Sequence, residues 1–386
     1  LSVKIENVNY SMQVAIVGAG IAGLTLAVAL KRAGISFVVY ESSPRIKPVG
    51  AGIALANNAM QVYRHLGIAD ELNGKGTRIS TVLLTDLNLQ VLDQTSLVNF
   101  EEKYQLVNIA IHRSALHRVL LDTIGSEDIQ LNKRLQQITQ TTDGDYQLEF
   151  ADGTRVNHPF IIGADGLRSQ VRQLLFGDYA LRDAHQVCWR GILPFDLPQK
   201  YEHVAVESWG KGKRMGFVKL ADHQVYWYFL VDEDLHQPQH EVTSYVDECP
   251  LWVQQMIQQT PKEKIHFDKI YDLKPFEGWY KEKACLIGDA AHATTPNLGQ
   301  GACQAIEDVY VISRLLEQYS LEEALKHFPL ARQAKAHSIV RESWTLGKIA
   351  QWRNPLLVAC RNTSFRLLPT WMKKRQMEKM FELNQI

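Results

Sequence analysis

The run from Val14 to Leu30 constrains this chain most. It is uncharged and nearly long enough to reach across a membrane, yet it holds Gly18, Gly20 and Gly23 and changes midway from β-branched to Ala/Leu-rich residues. That change predicts a strand over 14–17, a glycine turn and a helix over about 20–33, with a second strand over 36–40 completing a βαβ unit. The glycines fall as G-x-G-x-x-G between strand and helix. Backbone N–H groups and the positive end of the helix can then approach a pyrophosphate with no Cβ in the way. Small residues at these positions also permit tight helix–strand packing, so the position of Glu41 at the end of the second strand matters. A carboxylate there can accept hydrogen bonds from both ribose hydroxyls of an adenosine without a 2′-phosphate, which points to FAD or NAD.

The same theme returns twice: 160–164 reads as a short buried strand before a turn, and 284–288 as another before a helix beginning near Gly299. Between them, 187–193, 204–209, 215–220 and 224–231 are short, aromatic-rich strand candidates, the pattern of an inserted antiparallel sheet. Beyond about residue 315 the pattern is helical, amphipathic over 321–337 and broken at Pro355 and Pro369. A basic helix over 371–383 puts Met377, Met380 and Phe381 on one face, which fits docking onto its own domain better than membrane contact. The expected fold is therefore α/β. A Rossmann-type dinucleotide-binding domain with a parallel sheet (12–75, 100–180 and 266–345) carries an inserted antiparallel-sheet substrate domain (76–99 and 181–265) and a C-terminal helical segment (346–386). Residues 1–11 are polar and patternless ahead of Met12 and read as an upstream extension.

Lys+Arg and Asp+Glu both number 42. With zero net charge there is no global field to attract nucleic acid or an anionic membrane, so binding must come from a local site. The five cysteines, Cys188, Cys249, Cys285, Cys303 and Cys360, are scattered without a CxxC pair. They predict neither a disulfide framework nor a metal site, and they fit a reducing cytoplasm. No integral membrane segment or signal peptide is read.

Two further motifs separate the candidate dinucleotides. Gly163-Ala164-Asp165-Gly166 is followed by Arg168, Ser169 and Arg172; Gly288-Asp289-Ala290-Ala291-His292 continues through Pro296, Gly299, Gln300 and Gly301. Each alone also reads as an ordinary polar turn. In this order after the glycine motif, they resemble the D-G and G-D fingerprints of the single-component FAD-dependent aromatic hydroxylases, the group A flavin monooxygenases typified by para-hydroxybenzoate hydroxylase. The resemblance runs from about Val14 to residue 345. It implies FAD in the first domain, NADH or NADPH as a transient reductant, and dioxygen. The implied reaction is hydroxylation of a small aromatic or conjugated substrate via a flavin C4a-hydroperoxide.

The resemblance also implies roles: Glu41 on the adenosine ribose, Arg113 near the pyrophosphate and ribityl chain, Asp165 on backbone that supports FAD, and Asp289 on a ribityl hydroxyl or the pyrophosphate. Arg45, Lys47, Gly50 and Gly52 would run along the flavin and limit its movement. Within Pro296 to Gly301 the glycines let backbone pass close to a flat ring, and the next helix turns its positive end toward it, favouring an anionic reduced flavin. Read from the residues alone, Arg113 also suits an exposed helix start and Asp289 a helix N-cap. His292 is expected to be packed and hydrogen-bonded rather than a catalytic base.

For the substrate, Tyr226-Trp227-Tyr228-Phe229 alternates so that Tyr226 and Tyr228 share a face. Gly212-Lys213-Arg214 followed by Tyr226 resembles the flavin-dependent urate hydroxylases, whose matching arginine and tyrosine contact the purine. Arg214, Tyr226 and Asn297 thus become candidate pocket residues. Those enzymes carry aspartate where this chain has Asn297, and the change removes a carboxylate able to orient the arginine and assist deprotonation of a ring nitrogen. Urate, phenolic aromatics and tetracycline-like polyketides stay open, as does alkene epoxidation, because the asparagine loop also resembles zeaxanthin-epoxidase-like members. Arg214 and Tyr226 also read as an edge arginine and a half-buried sheet tyrosine. Trp189 and Arg190 are candidates for the same cavity. A flavin reductase or dehydrogenase acting on a C=C bond, or a non-catalytic flavin-binding protein, remains compatible with the motifs, as do a monomer and a homodimer.

Overall fold

The computed structural model describes residues 13–46 and 51–384. Residues 1–12, Lys47 and Gly50 lie outside the described residues. The strand Val14–Val17 is buried throughout, as a central strand with helices on both faces must be. It pairs in parallel with Phe37–Tyr40 on one side and Phe160–Gly163 on the other. Ile129–Gln130 and Ala284–Leu286 extend the sheet in parallel, and Tyr280–Lys281 closes one edge antiparallel. The register aligns Val17 with Tyr40 and with Gly163, and Gly163 with Leu286. Four neighbouring strands therefore end at one edge, where the chain turns into Gly18, Glu41, Ala164 and Ile287. This is the carboxyl edge at which such sheets bind ligands.

Helix Ile21–Arg32 is buried from Ile21 to Leu30, far more than the one apolar stripe of a surface helix. The sheet covers one side, and helices Arg113–Ile124 and Gly301–Leu316 pack on it. Lys31 and Arg32 fall in its last turn, where positive charge offsets the helix dipole, and the Lys31 ammonium also donates to the Ile124 carbonyl at 2.8 Å.

A second sheet has seven strands in the order His266–Leu273, Leu181–Pro194, Gln224–Asp232, Lys213–Lys219, Val204–Trp209, Thr81–Asp86 and Val91–Ser96. Every pairing is antiparallel except that of Val204–Trp209 with Thr81–Asp86. On one face Val225, Trp227, Phe229 and Val231 join the core that helix Leu251–Gln258 closes with Val253 and Met256. The other face turns Tyr226 toward the strand Gly52–Leu55: a Cβ on Gly52 would stand 2.6 Å from the Tyr226 ring, so the glycine lets sheet and nucleotide-binding unit touch.

The helix Leu321–Ala350 opens at Ser320, whose hydroxyl accepts the Glu323 N–H at 3.4 Å. Pro355–Arg366 and Thr370–Phe381 follow. Met380 and Phe381 are buried, with the Phe381 ring edge-on to Phe100 at 5.1 Å. Two such side chains stabilise the docked terminal helix by on the order of 4 kcal/mol. Among the described residues no helix is long and apolar enough to cross a membrane.

Candidate functional site

The first glycine motif divides by function of space. A Cβ on Gly18, whose φ is +109°, would meet the Ala164 carbonyl oxygen at 2.5 Å, and one on Gly23 would meet that of Gly18 at 2.0 Å. A Cβ on Gly20 would meet nothing within 4 Å. Packing thus demands the outer glycines, while the middle one faces open space at a helix start, where a phosphate group finds N–H donors. Beside it, the Glu41 carboxylate accepts from the Ala19 N–H at 3.0 Å, the Ser43 N–H at 2.8 Å and the Ser42 hydroxyl at 3.2 Å. Burial pushes its pKa up, but these donors outweigh burial and hold it below the usual value, so an ionised acceptor stands at the tip of the second strand.

Asp165 spends its oxygens on protein, accepting from the Ser169 hydroxyl at 2.5 Å and the N–H groups of Gln170 and Val171 at 2.7 and 3.0 Å. Burial still raises its pKa. Arg172, fully buried, donates to the carbonyls of Leu167 and Ala290 at 2.8 and 2.9 Å and so ties the second motif to the third. Asp289 differs: it is open to solvent although protein walls surround it, and among the described residues no hydrogen bond reaches its carboxylate. Desolvation raises its pKa, His292 and Arg113 counter the rise, and Asp308 adds to it. An unbonded acid facing a cleft, beside a glycine turn with free space, fits the hydroxyl and phosphate groups of a dinucleotide.

A buried polar network supports this edge. Asp308 accepts from the Gly288 N–H at 2.8 Å and lies 2.6 Å from His292 Nε2 and 2.9 Å from Arg332 Nε. Arg332 donates to the Gln304 side chain at 2.7 Å, and Gln304 and Asn58 each donate to Gln300 Oε1 at 3.1 Å. Asn58 also reaches Glu307, which pairs with Lys335 at 2.6 Å. His292 is accordingly a packed, hydrogen-bonded histidine. Gln304, Glu307 and Asp308 recur at i, i+3 and i+4 of helix Gly301–Leu316, a polar stripe whose spacing is visible in the sequence but whose partners are not. One 3₁₀ turn, Pro296–Leu298, and Gly299 at φ +62° lead into that helix.

Across the cleft, Arg214 is 2% exposed. Its Nε and Nη2 donate to Glu207 Oε1 at 2.7 and 2.5 Å, and its Nη1 donates to the Asn297 side-chain oxygen. Glu207 also receives Trp209 Nε1 at 2.9 Å and the Tyr228 hydroxyl. The register sets Glu207 opposite Gly216 and Gly216 opposite Tyr228. A Cβ on Gly216 would lie 2.3 Å from the Tyr228 hydroxyl, so the ring crosses a glycine to reach its acceptor. The carboxylate that Asn297 lacks therefore comes from Glu207, a residue that only cross-strand register could reveal. Burial drives the Tyr228 pKa far up and the Glu207 charge adds to this. Burial alone would lower that of Arg214, but Glu207 and its other neighbours raise it. Asn297 completes its bonding by donating to the Thr295 hydroxyl and the Ser343 carbonyl, both at 2.8 Å.

Tyr226 stands near the charges of Arg190 and Arg113, which oppose the rise in its pKa that burial causes. Adjacent strand residues point to opposite faces, so Trp189 belongs instead to the aromatic core with Tyr245, its ring also meeting the exposed Phe267. Arg190 pairs with Asp268 at 2.9 Å. Arg45 is exposed and, among the described residues, makes no hydrogen bond or ion pair.

A dinucleotide cradle at a parallel-sheet edge, covered by a second sheet that brings Tyr226 to Gly52 and Arg214 to Asn297, fits an enzyme that works on a small molecule beside a bound dinucleotide. The chain belongs to the FAD-binding-domain family FAD_binding_3, whose model matches residues 11–343. It is 32% identical to the aurachin C monooxygenase/isomerase of Stigmatella aurantiaca, over 92% of this chain and 94% of that one. It is also 32% identical to the 2-heptyl-3-hydroxy-4(1H)-quinolone synthase of Pseudomonas aeruginosa, over 96% and 98%. The crystal structure of Klebsiella pneumoniae HpxO complexed with FAD and uric acid superposes with a TM-score of 0.89 at 26% identity, covering 97% of this chain and 98% of that one. The chain is thus a group A flavin monooxygenase, an FAD-dependent oxidoreductase that uses NAD(P)H and dioxygen to hydroxylate a small aromatic or conjugated substrate.

Proposed function

We propose that the substrate is an uncharged fused nitrogen heteroaromatic of the 4(1H)-quinolone class. The observation that carries this is that Arg214, 2% exposed, spends its donors on Glu207 and on the neutral Asn297 inside the wall, so little of the guanidinium is left to contact a purine anion such as urate and no carboxylate stands at position 297 to deprotonate a ring nitrogen. The two relatives named for a quinolone product and for aurachin C, each matched over more than nine-tenths of its length, support the same class.

In this reading Gly18, Gly20, Gly23 and Gly288 form the FAD cradle, Glu41 holds the adenosine ribose, and Arg113 and Asp289 hold the pyrophosphate and ribityl chain. Asp165 fixes backbone beneath them. Arg45 and Gly52 flank the flavin, and Pro296, Gly299, Gln300 and Gly301 pass along the ring. When bound, FAD would carry reducing equivalents from NAD(P)H to dioxygen. Tyr226 and Asn297 set the orientation of the substrate, Arg214 fixes Asn297, and the seven-stranded sheet excludes water. The division into a nucleotide-binding unit, a covering unit and C-terminal helices is part of the same proposal. So is a reducing, cytoplasmic setting, which five unpaired cysteines support. The reductant is NADH or NADPH, and the working unit is a monomer or homodimer.

The test is anaerobic reduction of the yellow holoprotein by NADH and by NADPH, with a 2-alkyl-4(1H)-quinolone or urate present. Faster flavin reduction with the quinolone, and a product carrying one added oxygen after aeration, is expected. Acceleration by urate and none by the quinolone would overturn the substrate class.

A further inference from the structure

The C-terminal helices carry a surface that neither the FAD cradle nor the substrate wall uses. Leu356, Leu367 and Trp371 are 77%, 74% and 64% exposed, and Leu357 and Met372 are exposed beside them. On helix Pro355–Arg366 and its continuation, Leu356, Cys360, Thr363 and Leu367 recur at three- and four-residue intervals and so share one side. Helix Thr370–Phe381 is two-sided. At about 100° per residue, Lys373, Met377, Met380 and Phe381 fall on one side, Trp371, Met372 and Arg375 fall opposite, and exposed Lys374 lies on the flank between them. The first side is docked: Met380 and Phe381 are buried, Met377 packs with them, and Lys373 pairs with Asp93. The second side faces outward.

Charge defines what this surface can meet. Every charged residue from 353 to 375 is basic: Arg353, Arg361, Arg366, Lys373, Lys374 and Arg375. Arg353 pairs with Asp232 and Asp234, and Lys373 is paired as above. Buried Arg361 donates to the carbonyls of Ala350 and Gly210. Arg366, Lys374 and Arg375 remain exposed without an ion-pair partner among the described residues. Exposed Leu, Trp and Met bordered by unpaired cations is the chemistry of an anionic lipid surface, where apolar side chains enter the headgroup boundary and each cation adds attraction. A second copy of this chain docked face to face would bring these like charges together.

We propose that the face formed by Leu367, Trp371 and Met372 with Arg366, Lys374 and Arg375 is a peripheral docking surface for anionic lipid bilayers. It sits one helix away from the substrate wall: Arg361 joins helix Pro355–Arg366 to Gly210, and the Phe365 ring packs edge-on against Trp209 at 4.9 Å. Trp209 in turn donates to Glu207. Docking there holds the covering sheet next to the bilayer, a placement suited to apolar substrates that partition into lipid. The surface itself does not depend on the substrate assignment above.

The experiment is flotation of the FAD-loaded protein with vesicles of phosphatidylcholine alone or mixed with phosphatidylglycerol, at low and high salt. The wild type should float with the anionic vesicles and less so in high salt. The Leu367→Ser/Trp371→Ser variant should lose about tenfold in partitioning. Lys374→Glu/Arg375→Glu, which reverses each charge, should lose at least about fivefold per residue at low salt. Both variants should keep the flavin spectrum and thermal midpoint of the wild type, because none of these side chains is buried. Wild-type protein left in the lipid-free fraction with both vesicle types would overturn the proposal. So would a doubled mass in sedimentation that Leu367→Ser/Trp371→Ser abolishes, since that result assigns the face to a second copy.

Discussion

Replacing Glu207 by alanine exposes how the substrate wall is held. The change removes the acceptor of two Arg214 donors, of Trp209 Nε1 and of the Tyr228 hydroxyl, and leaves a guanidinium 2% exposed with only the neutral Asn297 oxygen. Breaking a buried ion pair from one side costs about 3–5 kcal/mol, and each orphaned neutral donor about 1 kcal/mol more. The Glu207 side chain is 19% exposed, so water can replace part of the lost bonding and the lower part of that range, roughly 3–4 kcal/mol, is expected. The assay is urea unfolding of the holoprotein followed by circular dichroism and by flavin fluorescence. Glu207→Ala should move the midpoint down, while Glu207→Ala/Arg214→Met, which removes both charges, should recover most of the loss. FAD content before unfolding should match the wild type, because Glu41 and Asp289 are on the opposite side of the cleft. A single variant within about 1 kcal/mol of the wild type, the size of an exposed pair, would refute the reasoning. So would a double variant no more stable than the single one.

Asp289→Ala should purify with much less FAD, measured by the visible spectrum, and full occupancy would remove Asp289 from the cofactor site. Gly347→Ala should destabilise by about 1–3 kcal/mol, because its Cβ would stand 2.2 Å from Asn297 Nδ2; an unchanged midpoint would show that the loop yields freely. His117 predicts a pH effect. Burial, helped by the Arg113 charge and opposed by Glu41, lowers its pKa from the usual 6.5 to about 4, and neither ring nitrogen has a partner among the described residues. Folded protein thus keeps the ring neutral while the unfolded chain takes up a proton below 6.5. Its contribution is complete above that pH and is lost as pH falls toward 4, by up to roughly 3 kcal/mol. His117→Gln should flatten the wild-type stability slope between pH 6.5 and 4; parallel slopes would contradict the assignment.

The nucleotide-binding edge was legible because its chemistry is local. Gly18, Gly20 and Gly23 lie within one turn, Glu41 ends the next strand, and Asp165 and Asp289 each follow a short buried strand that the pattern located. The sequence places 76–99 with the inserted sheet but does not show strands 81–86 and 91–96 individually, since they pair with a sheet formed more than a hundred residues later and half-buried residues along them blur the alternation. Glu207 escaped for a related reason: alone in a strand it reads as a surface acid, and only pairing across Gly216 brings it under Arg214 and Tyr228.

By itself the sequence determined the cofactor class, the order of strand and turn motifs and the inward face of the terminal helix, because each depends on residues close together in the chain. The tertiary structure decided which carboxylate neutralises Arg214, how Asp308, Arg332 and Glu307 brace the Gly288 and Gln300 turns, and which apolar side chains stay uncovered. Those outcomes depend on strand register and on helices meeting from distant segments, and a buried charge takes its meaning from the partner that packing brings to it.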